Sequence, residues 1–540
     1  MTPSPISGPT TPKTEHHRLT SPAELRRRWR AGEEIALLDV REEGPYSLAH
    51  PFFAVSLPLS QIELRILDLV PRRGAPIVVY DDGEGYAARA FQRIAALGYS
   101  DLSILDGGLS AYALAGEVFR DVNVPSKAFG ELVEAIRHTP SLSSDEAKAL
   151  IEREQNLVVL DARRFEEYRT MSIPRGISVP GGELAFRARE IAPSADTTII
   201  VNCAGRTRSI IGTQSLINAG LPNKIYALRN GTIGWTLAGH QVERGRTDRF
   251  LTRPQASHAA ALADAKAWAA RTGVQSLDRN SFERMRSEAD RHTLYCLDVR
   301  TPEEYAAGHP AGFVSAPGGQ LVQAIDEWVG VRGARLVLSD DDGVRARMTA
   351  SWLKQMGWDV AIVGPDVVAP TEKDMPIARR PALPDVGAAV ISVDELAGNP
   401  AAAWSVVDLS RSPAYSAGHI PGAHFVLASR FVDDLAKLPG DGAIVLTSDD
   451  GAEAYFALAD ARAATSRTVR VLSGGTRAWT ASSRPLEHER RSFISTPDDV
   501  YKRPYEGTDN AAEAMQAYID WELQLVAQLA NDSISNFHVV

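Results

Sequence analysis

The chain contains very little cysteine. Its 540 residues include only two, Cys203 and Cys296. Two cysteines cannot build a disulfide framework, and their spacing matches no metal-binding motif. We therefore expect a protein held together by its hydrophobic cores, with no bound metal and no cofactor.

The chain also lacks long apolar runs and an excess of positive charge. No stretch approaches the roughly 18 apolar residues that identify a membrane-spanning helix. Residues 1–5 do not resemble the basic start of a signal peptide. The formal net charge of −10 argues against a general nucleic-acid-binding protein. We expect a cytoplasmic protein with no membrane partner and no nucleic-acid partner.

What the chain does contain is an internal repeat. Four apolar segments end in an aspartate, and a second apolar segment ends in a polar loop 41–43 residues later. The aspartates are Asp39, Asp161, Asp298 and Asp408, and the corresponding loop residues are Asp81, Cys203, Asp341 and Asp449. Because chance would not preserve this spacing through four copies, it predicts four copies of one fold.

Each copy continues with a helical pattern and, in most copies, a third apolar segment. Strands alternating with helices in units of roughly 110 residues predict an α/β domain, with a small parallel sheet flanked by helices. The predicted organisation is four tandem domains and a C-terminal helical tail. Its parts are an N-terminal arm (1–18), domain 1 (19–123), a linker (124–140), domain 2 (141–246), a second linker (247–274), domain 3 (275–380), domain 4 (388–488) and the tail (489–540).

Cys203 distinguishes the loop of domain 2 from the other three. It follows the apolar run of residues 199–202 and precedes a short segment with one glycine and two arginines, before a helical pattern that begins at Ser209. Ligands of parallel α/β sheets bind at the carboxyl ends of the strands. Backbone N–H groups, a helix N-terminus and guanidinium groups all favour thiolate over thiol. The loop therefore predicts a nucleophile that acts on anionic substrates.

Several motifs taken together resemble the rhodanese (sulfurtransferase) family. They are the Asp-x-Arg strand ends, the Gly-His-Ile-Pro-Gly turn of residues 418–422, the cysteine loop and the late Gly-Gly…Trp of residues 474–479. The whole chain is similar to bacterial four-domain rhodaneses. The resemblance implies that the loop cysteine takes a sulfane sulfur from a donor, becomes a persulfide and passes the sulfur to an acceptor such as cyanide or a thiol.

On this resemblance Cys203 is the expected catalytic residue, and ping-pong kinetics are expected. The two arginines favour an anionic donor, with thiosulfate first among the candidates, and backbone N–H groups can hold the charge of the terminal sulfur. The expected substrate-binding residues are Ala204, Gly205, Arg206, Thr207, Arg208, Ser209 and Arg163. Two of them have alternative roles, because Ser209 can cap the helix and Arg163 can pair with Asp161.

Two other functions are weighed against this one. Cysteine phosphatases, some of which share the fold, have a loop that resembles Cys-x5-Arg preceded by histidine. Here the spacing from Cys203 to Arg208 is Cys-x4-Arg and Asn202 precedes it, which disfavours a phosphatase. The second alternative is a persulfide- or redox-sensing interaction protein built from mostly inactive domains.

The remaining expectations concern residues outside the cysteine loop. Aspartates at the position of Cys203 cannot carry sulfane sulfur, so domains 1, 3 and 4 are expected to be non-catalytic. Cys296 is expected to be a buried strand residue and Trp235 a packing residue, while Arg229 is a candidate to face the pocket. The tail is expected to contain a helix over 511–529 that docks on a domain or on a subunit of a homo-oligomer.

Overall fold

The computed structural model describes residues 17–375, 378–399, 403–488 and 492–540. The predicted N-terminal arm lies outside these residues except for its last two, and so does the predicted start of the tail at 489–491. The predicted α/β class is confirmed, because each of the four domains contains a five-stranded parallel sheet with helices around it.

Domain 1 has the sheet order β1-β6-β5-β2-β4, with β3 and β7 forming a separate antiparallel pair. Its strands are β1 (Leu19–Thr20), β2 (Ala36–Asp39), β3 (His50–Pro51), β4 (Ala54–Ser56), β5 (Ile77–Tyr80), β6 (Leu102–Leu105) and β7 (Val118–Phe119). Its helices are α1 (Pro22–Arg30), α2 (Glu43–Leu48), α3 (Ile62–Leu69), α4 (Tyr86–Ala96) and α5 (Gly108–Tyr112), and α6 (Val124–Arg137) leads to the next domain.

Domain 2 repeats this topology with the order β10-β9-β11-β12-β8. Its strands are β8 (Ser141–Leu142), β9 (Leu157–Asp161), β10 (Gly176–Ser178), β11 (Thr198–Asn202) and β12 (Ile225–Leu228). Its helices are α7 (Ser144–Arg153), α8 (Phe165–Thr170), α9 (Leu184–Ile191), α10 (Thr207–Asn218) and α11 (Gly231–Leu237), followed by the connecting helix α12 (His258–Thr272). The central strand β11 is buried at every position, as its β-branched residues predict.

Domain 3 has the order β13-β18-β17-β14-β16, with an antiparallel pair of β15 and β19. Its strands are β13 (Gln275–Ser276), β14 (Leu294–Asp298), β15 (His309–Pro310), β16 (Val314–Ser315), β17 (Arg335–Ser339), β18 (Asp359–Val363) and β19 (Pro370–Glu372). Its helices are α13 (Arg279–Ser287), α14 (Pro302–Ala307), α15 (Gly318–Gln323) and α16 (Arg345–Gln355).

Domain 4 has the order β20-β24-β23-β21-β22. Its strands are β20 (Val390–Ile391), β21 (Trp404–Asp408), β22 (His424–Phe425), β23 (Ala443–Thr447) and β24 (Val469–Leu472). Its helices are α17 (Val393–Gly398), α18 (Ser412–Ala417), α19 (Phe431–Asp434), α20 (Ala452–Ala464) and α21 (Gly475–Ala481). The tail contains α22 (Ala512–Glu522) and α23 (Leu525–Asp532).

The tail packs across domain 1 and the helix α6. Its apolar residues, among them Met515, Ile519 and Leu525, join one hydrophobic cluster with the core of domain 1. A buried ion pair between Arg26 of α1 and Asp532 of α23 fixes the end of the tail. The tail is thus an integral part of the structure, positioned over the boundary between domains 1 and 2.

Three elements differ from the sequence predictions. The predicted linker 124–140 contains α6, a helix of 14 residues with a largely buried face. The single predicted tail helix is divided after Glu522. The helix after Cys203 begins at Thr207, two residues earlier than predicted, so that Ser209 lies in its first turn and not at its N-cap. Among the described residues, no helix combines the length and the apolar character that crossing a bilayer requires.

Candidate active site

Cys203 lies at the carboxyl edge of the domain 2 sheet, directly after β11. Only 1% of the surface of Cys203 is exposed. Two contacts from the start of α11 fix its backbone, since the Thr232 N–H and hydroxyl donate to the Cys203 carbonyl at 2.8 and 3.0 Å. Gly231 permits this approach, because a Cβ there would lie 2.4 Å from the same carbonyl oxygen. The cysteine is therefore held rigidly between two strand-to-helix connections.

The residues after the cysteine form a turn that opens into α10. We call residues 203–209 the cysteine loop. The first N–H groups of a helix have no carbonyl partner within the helix, so the start of α10 offers donors to an anion beside Cys203. The Ser209 hydroxyl donates to the Arg206 carbonyl at 2.9 Å, and the Thr207 hydroxyl is buried with no hydrogen-bond partner among the residues described.

The protonation of the thiol reflects opposing effects. Burial raises the pKa of Cys203 above its usual value, whereas the Arg208 charge and hydrogen bonds from the Ser209 side chain and N–H lower it. The Glu522 carboxylate adds to the rise. The sequence identified the features that favour thiolate but not the desolvation that outweighs them in this closed structure.

The Arg206 side chain is engaged by neighbouring groups. Its Nε and Nη2 atoms donate to Glu131 of α6 at 2.7 and 2.8 Å, and its Nη1 donates to Asn230 at 3.0 Å. Glu131 belongs to the segment predicted as a linker. Arg229, a candidate for the pocket, donates to the Ser141 hydroxyl at 3.2 and 3.3 Å.

Arg208 forms a two-point ion pair with Glu167 of α8, at 2.7 and 2.8 Å. Burial alone would raise the pKa of Glu167, but the Arg208 guanidinium lowers that pKa to about 2. The Glu167 carboxyl is therefore ionised at neutral pH, and the pair is charged there. Arg208 acts on Cys203 through its charge, not through a free guanidinium fork.

Arg163 lies deeper, with 2% of its surface exposed. Its Nε and Nη2 atoms donate to Asp161 at 2.9 and 2.8 Å, and Nη2 also donates to the Met171 carbonyl. Asp161 in turn accepts a bond of 2.9 Å from the Asn202 amide beside Cys203. This chain of contacts positions the end of β11, and Arg163 reaches the cysteine loop only through it.

The C-terminal tail covers the cysteine loop, a contact that the sequence analysis did not identify. A Cβ on Gly205 would lie 3.1 Å from Cε1 of Tyr518 and 3.2 Å from Oε2 of Glu522. A cavity of about 40 Å³ remains between the tail and domain 2, lined in part by Ala204, Thr232 and Tyr505. The sequence does contain one signal of an unusual environment. Glu522 follows Tyr518 by one helical turn, so a carboxyl group lies on the apolar face of this helix.

Strand pairing defines which residues of the other domains correspond to Cys203. Asn202 pairs with the strand-end aspartate of its sheet, and Tyr80, Ser339 and Thr447 occupy the same place in domains 1, 3 and 4. The residues that follow them are Asp81, Asp340 and Ser448. The expectation of Asp341 and Asp449 at this position is therefore wrong by one residue, because equal spacing along the sequence does not fix the register of a sheet.

The corresponding aspartates accept bonds from their own loops. Asp81 accepts from the N–H of Ala87 at 2.9 Å, and Asp340 accepts from the N–H of Ala346 at 2.8 Å. Both N–H groups occupy the place of the Ser209 N–H in domain 2. In domains 1 and 3 this position of the fold therefore holds a carboxyl group against backbone donors.

The remaining expectations have clear outcomes. Trp235 is a packing residue, 1% exposed, whose indole N–H donates to the Gln241 carbonyl. Cys296 lies in β14 as expected but is only partly buried, and burial raises the pKa of its thiol to about 12. Across the part of the chain that is described, no cluster of three or more His, Cys, Asp or Glu side chains could hold a metal ion.

Comparison with known proteins gives consistent relatives. A family model described as a rhodanese-like domain matches residues 21–115, 143–238, 279–364 and 392–482. The crystal structure of thiosulfate sulfurtransferase from Pseudomonas aeruginosa is 53% identical, covers 97% of this chain and 100% of that one, and has a TM-score of 0.94. Thiosulfate sulfurtransferase from Azotobacter vinelandii is 26% identical over 227 residues, which are 35% of this chain and 83% of that protein.

Proposed function

Because the chain belongs to the rhodanese family, with four copies of its domain, we propose that it is a thiosulfate sulfurtransferase in which Cys203 carries the transferred sulfur. The full-length similarity to thiosulfate sulfurtransferase from Pseudomonas aeruginosa supports this activity. Cys203 is the catalytic residue of the proposal, and domain 2 is its catalytic domain.

One observation carries the assignment of the site. The Ser209 N–H, which lowers the pKa of Cys203, occupies the position whose counterparts donate to carboxyl groups in domains 1 and 3. The fold thus provides an anion site at this point, and domain 2 places a thiol beside it. A persulfide has the required form, since its inner sulfur is the Cys203 Sγ and its terminal sulfur carries the negative charge.

The first half-reaction transfers sulfur from the donor to the enzyme. The Cys203 thiolate forms a bond to the outer sulfur of thiosulfate, the S–S bond of thiosulfate breaks, and sulfite leaves with the electron pair. In the second half-reaction an acceptor such as cyanide bonds to the terminal sulfur, and the electron pair of the persulfide bond returns to Cys203. Separating the transfer into two displacements is covalent catalysis and gives ping-pong kinetics.

The neighbouring residues have distinct roles in this proposal. The backbone of Ala204 to Ser209 holds the terminal sulfur, and the Thr207 and Ser209 hydroxyls lie within the same loop. Arg206 and Arg208 supply positive charge while they remain paired with Glu131 and Glu167. Arg163 positions the strand end and does not bind the donor directly, because Asp161 and the Met171 carbonyl occupy its guanidinium.

The test uses the only two cysteines of the chain as a matched pair. Cys203→Ser is expected to abolish thiosulfate:cyanide turnover, whereas Cys296→Ser is expected to retain it. Mass spectrometry after treatment with thiosulfate should show one added sulfur atom on Cys203 and none on Cys296. A folded wild-type protein that shows no turnover with thiosulfate or any other anionic donor would contradict the proposal and favour the sensing alternative.

A further inference from the structure

The helix α22 places a buried carboxyl group against the cysteine loop. Glu522 is 1% exposed. Its Oε1 accepts a bond of 2.7 Å from the Tyr518 hydroxyl, while its Oε2 has no hydrogen-bond partner within the described residues. This oxygen is directed toward Gly205, where a Cβ would lie only 3.2 Å from it. Burying an acceptor without a hydrogen-bond partner costs free energy of folding, so a ligand or a function is expected at this position.

Charged groups surround this carboxyl on each element that packs against it. Lys127 and Glu131 face it from α6, Arg206 and Cys203 from the cysteine loop, and Tyr518 from its own helix. Burial raises the pKa of Glu522 to about 7, with Glu131 adding to the rise and the Lys127, Tyr518 and Arg206 groups opposing it. A carboxyl group in this range accepts and returns a proton near neutral pH.

Acceptors of sulfane sulfur differ in where they lose a proton. Near neutral pH most cyanide is hydrogen cyanide, but the attacking species is the anion, which has lost its proton to bulk water beforehand, so no proton moves within the site. A thiol is mostly protonated at neutral pH and must lose its proton as it attacks. At the same time the departing Cys203 sulfur gains a proton readily, because burial raises the pKa of this thiol.

We propose that Glu522 accepts the proton of an incoming thiol and delivers it to the departing Cys203 sulfur, which makes the tail helix α22 the element that adapts this site to thiol acceptors. The inference rests on the proposed function and extends it to the acceptor. The thiol sulfur forms a bond to the terminal persulfide sulfur, and the S–S bond breaks with its electron pair going to Cys203. The proton passes from the thiol to Glu522 and then to Cys203. The products are an acceptor persulfide anion and the Cys203 thiol, and the charge of −1 is conserved.

The experiment measures the second half-reaction alone. The full chain is loaded with thiosulfate, separated from the donor, and mixed with either glutathione or cyanide over a range of pH. Glu522→Gln is expected to lower the ratio of the glutathione rate to the cyanide rate by about tenfold or more near pH 7. The deficit should shrink toward pH 9, where glutathione arrives increasingly as thiolate. Glu513→Gln, an exposed position on the same helix, is the matched control and is expected to retain the wild-type ratio.

A second variant keeps the inference testable if Glu522→Gln does not fold. Tyr518→Phe removes the hydrogen bond that lowers the pKa of Glu522, so the pH at which the glutathione rate rises should move upward. A glutathione-to-cyanide ratio within twofold of wild type in Glu522→Gln, or an unmoved pH profile in Tyr518→Phe, would overturn the role of Glu522 while leaving the persulfide intact. A wild-type protein that forms no persulfide would overturn the proposed function itself.

Discussion

Domains 2 and 3 place the same two ion pairs around different loop residues, and we call these ion pairs the charged frame. In each domain an arginine in the first turn of the helix after the loop pairs with a glutamate 41 residues earlier in the chain. In each domain a strand-end aspartate also pairs with the arginine two residues later. The matching pairs are Arg208–Glu167 with Arg345–Glu304, and Arg163–Asp161 with Arg300–Asp298. Since domain 3 has Asp340 in place of Cys203, these ion pairs belong to the architecture of the fold and form whether or not a thiol lies beside them.

The comparison also separates the backbone donors of the loop, which the two domains share, from the side chain that lies against them, which differs. Asp340 accepts bonds from the N–H groups of Ala346 and Gly343 at 2.8 and 2.9 Å. The loop of domain 3 is therefore occupied by its own carboxylate. The loop of domain 2 replaces that carboxylate with a thiol and is covered by the tail residues Tyr518 and Glu522.

The strongest way to break the comparison is to give domain 2 the residue of domain 3. Cys203→Asp should lower thiosulfate:cyanide turnover by about a thousandfold or more, because no sulfur nucleophile remains. The fold should survive, since backbone donors of the loop can bind a carboxylate as they do in domain 3. Steady-state turnover and thermal unfolding would be measured together, with Cys203→Ser as the control. Unfolding of the aspartate variant alone would show that the two loops are not equivalent.

The frame itself should matter more for stability in domain 3 than in domain 2. Arg345 is fully buried and pairs with Glu183, Glu304 and Asp342 at once. Arg345→Met removes the guanidinium that these carboxylates share, and only Glu183 keeps another close ion pair, with Arg187. The variant should lower the free energy of unfolding by about 3–5 kcal/mol. Thermal and denaturant unfolding followed by circular dichroism would measure the loss.

The partly exposed Arg347 on the same helix supplies the control for that experiment, and Arg347→Met should have a much smaller effect. Arg208→Met frees one carboxylate, Glu167, and should cost less stability than Arg345→Met. Equal losses at the two positions would contradict the comparison, because they would mean that the number of buried partners does not determine the cost.

The reactivity of Cys203 tests whether burial outweighs the favourable charges. Because burial raises the pKa of the thiol, its thiolate fraction at pH 7 is smaller than that of a free thiol. At pH 7, iodoacetamide should alkylate Cys203 at about one tenth of the rate at which it alkylates glutathione, or more slowly. The alkylation rate of Cys203 should continue to rise with pH after the rate of glutathione has levelled off. Site-resolved mass spectrometry separates Cys203 from Cys296. Alkylation that is fast and independent of pH above 7 would instead indicate a thiolate.

Much of this architecture could be predicted from the sequence, because it depends on local patterns that repeat. Local requirements of strands and helix ends determine several residue types, namely the four strand-end aspartates, the apolar residues of the strands and the glycines after α4, α10 and α16. The family prediction is confirmed by the four matched domains. The prediction that Asp341 and Asp449 correspond to Cys203 was wrong, because sheet register depends on pairing between strands that are distant in sequence.

The cover of the site could not be predicted by the same means. Tyr518 and Glu522 lie more than 300 residues after Cys203, and nothing in a repeat pattern shows where a non-repeating tail docks. The same holds for Glu131 of α6, which lies outside the repeat and pairs with Arg206 of the cysteine loop. Residues that belong to the repeat were predictable, whereas the contacts that reduce the exposure of Cys203 and raise its pKa depend on tertiary packing.

The smallest expected effect tests that packing directly. Gly205→Ala adds a methyl group 3.1 Å from Cε1 of Tyr518 and 3.2 Å from Oε2 of Glu522, a contact that requires a shift of a few tenths of an ångström. The free energy of unfolding should fall by about 1 kcal/mol. Tyr518→Leu removes the ring that the methyl would meet, so the double variant should lose less than the sum of the two single losses. Strict additivity would mean that the tail does not rest on the cysteine loop in solution. The tail would then be no part of the difference between domain 2 and domain 3.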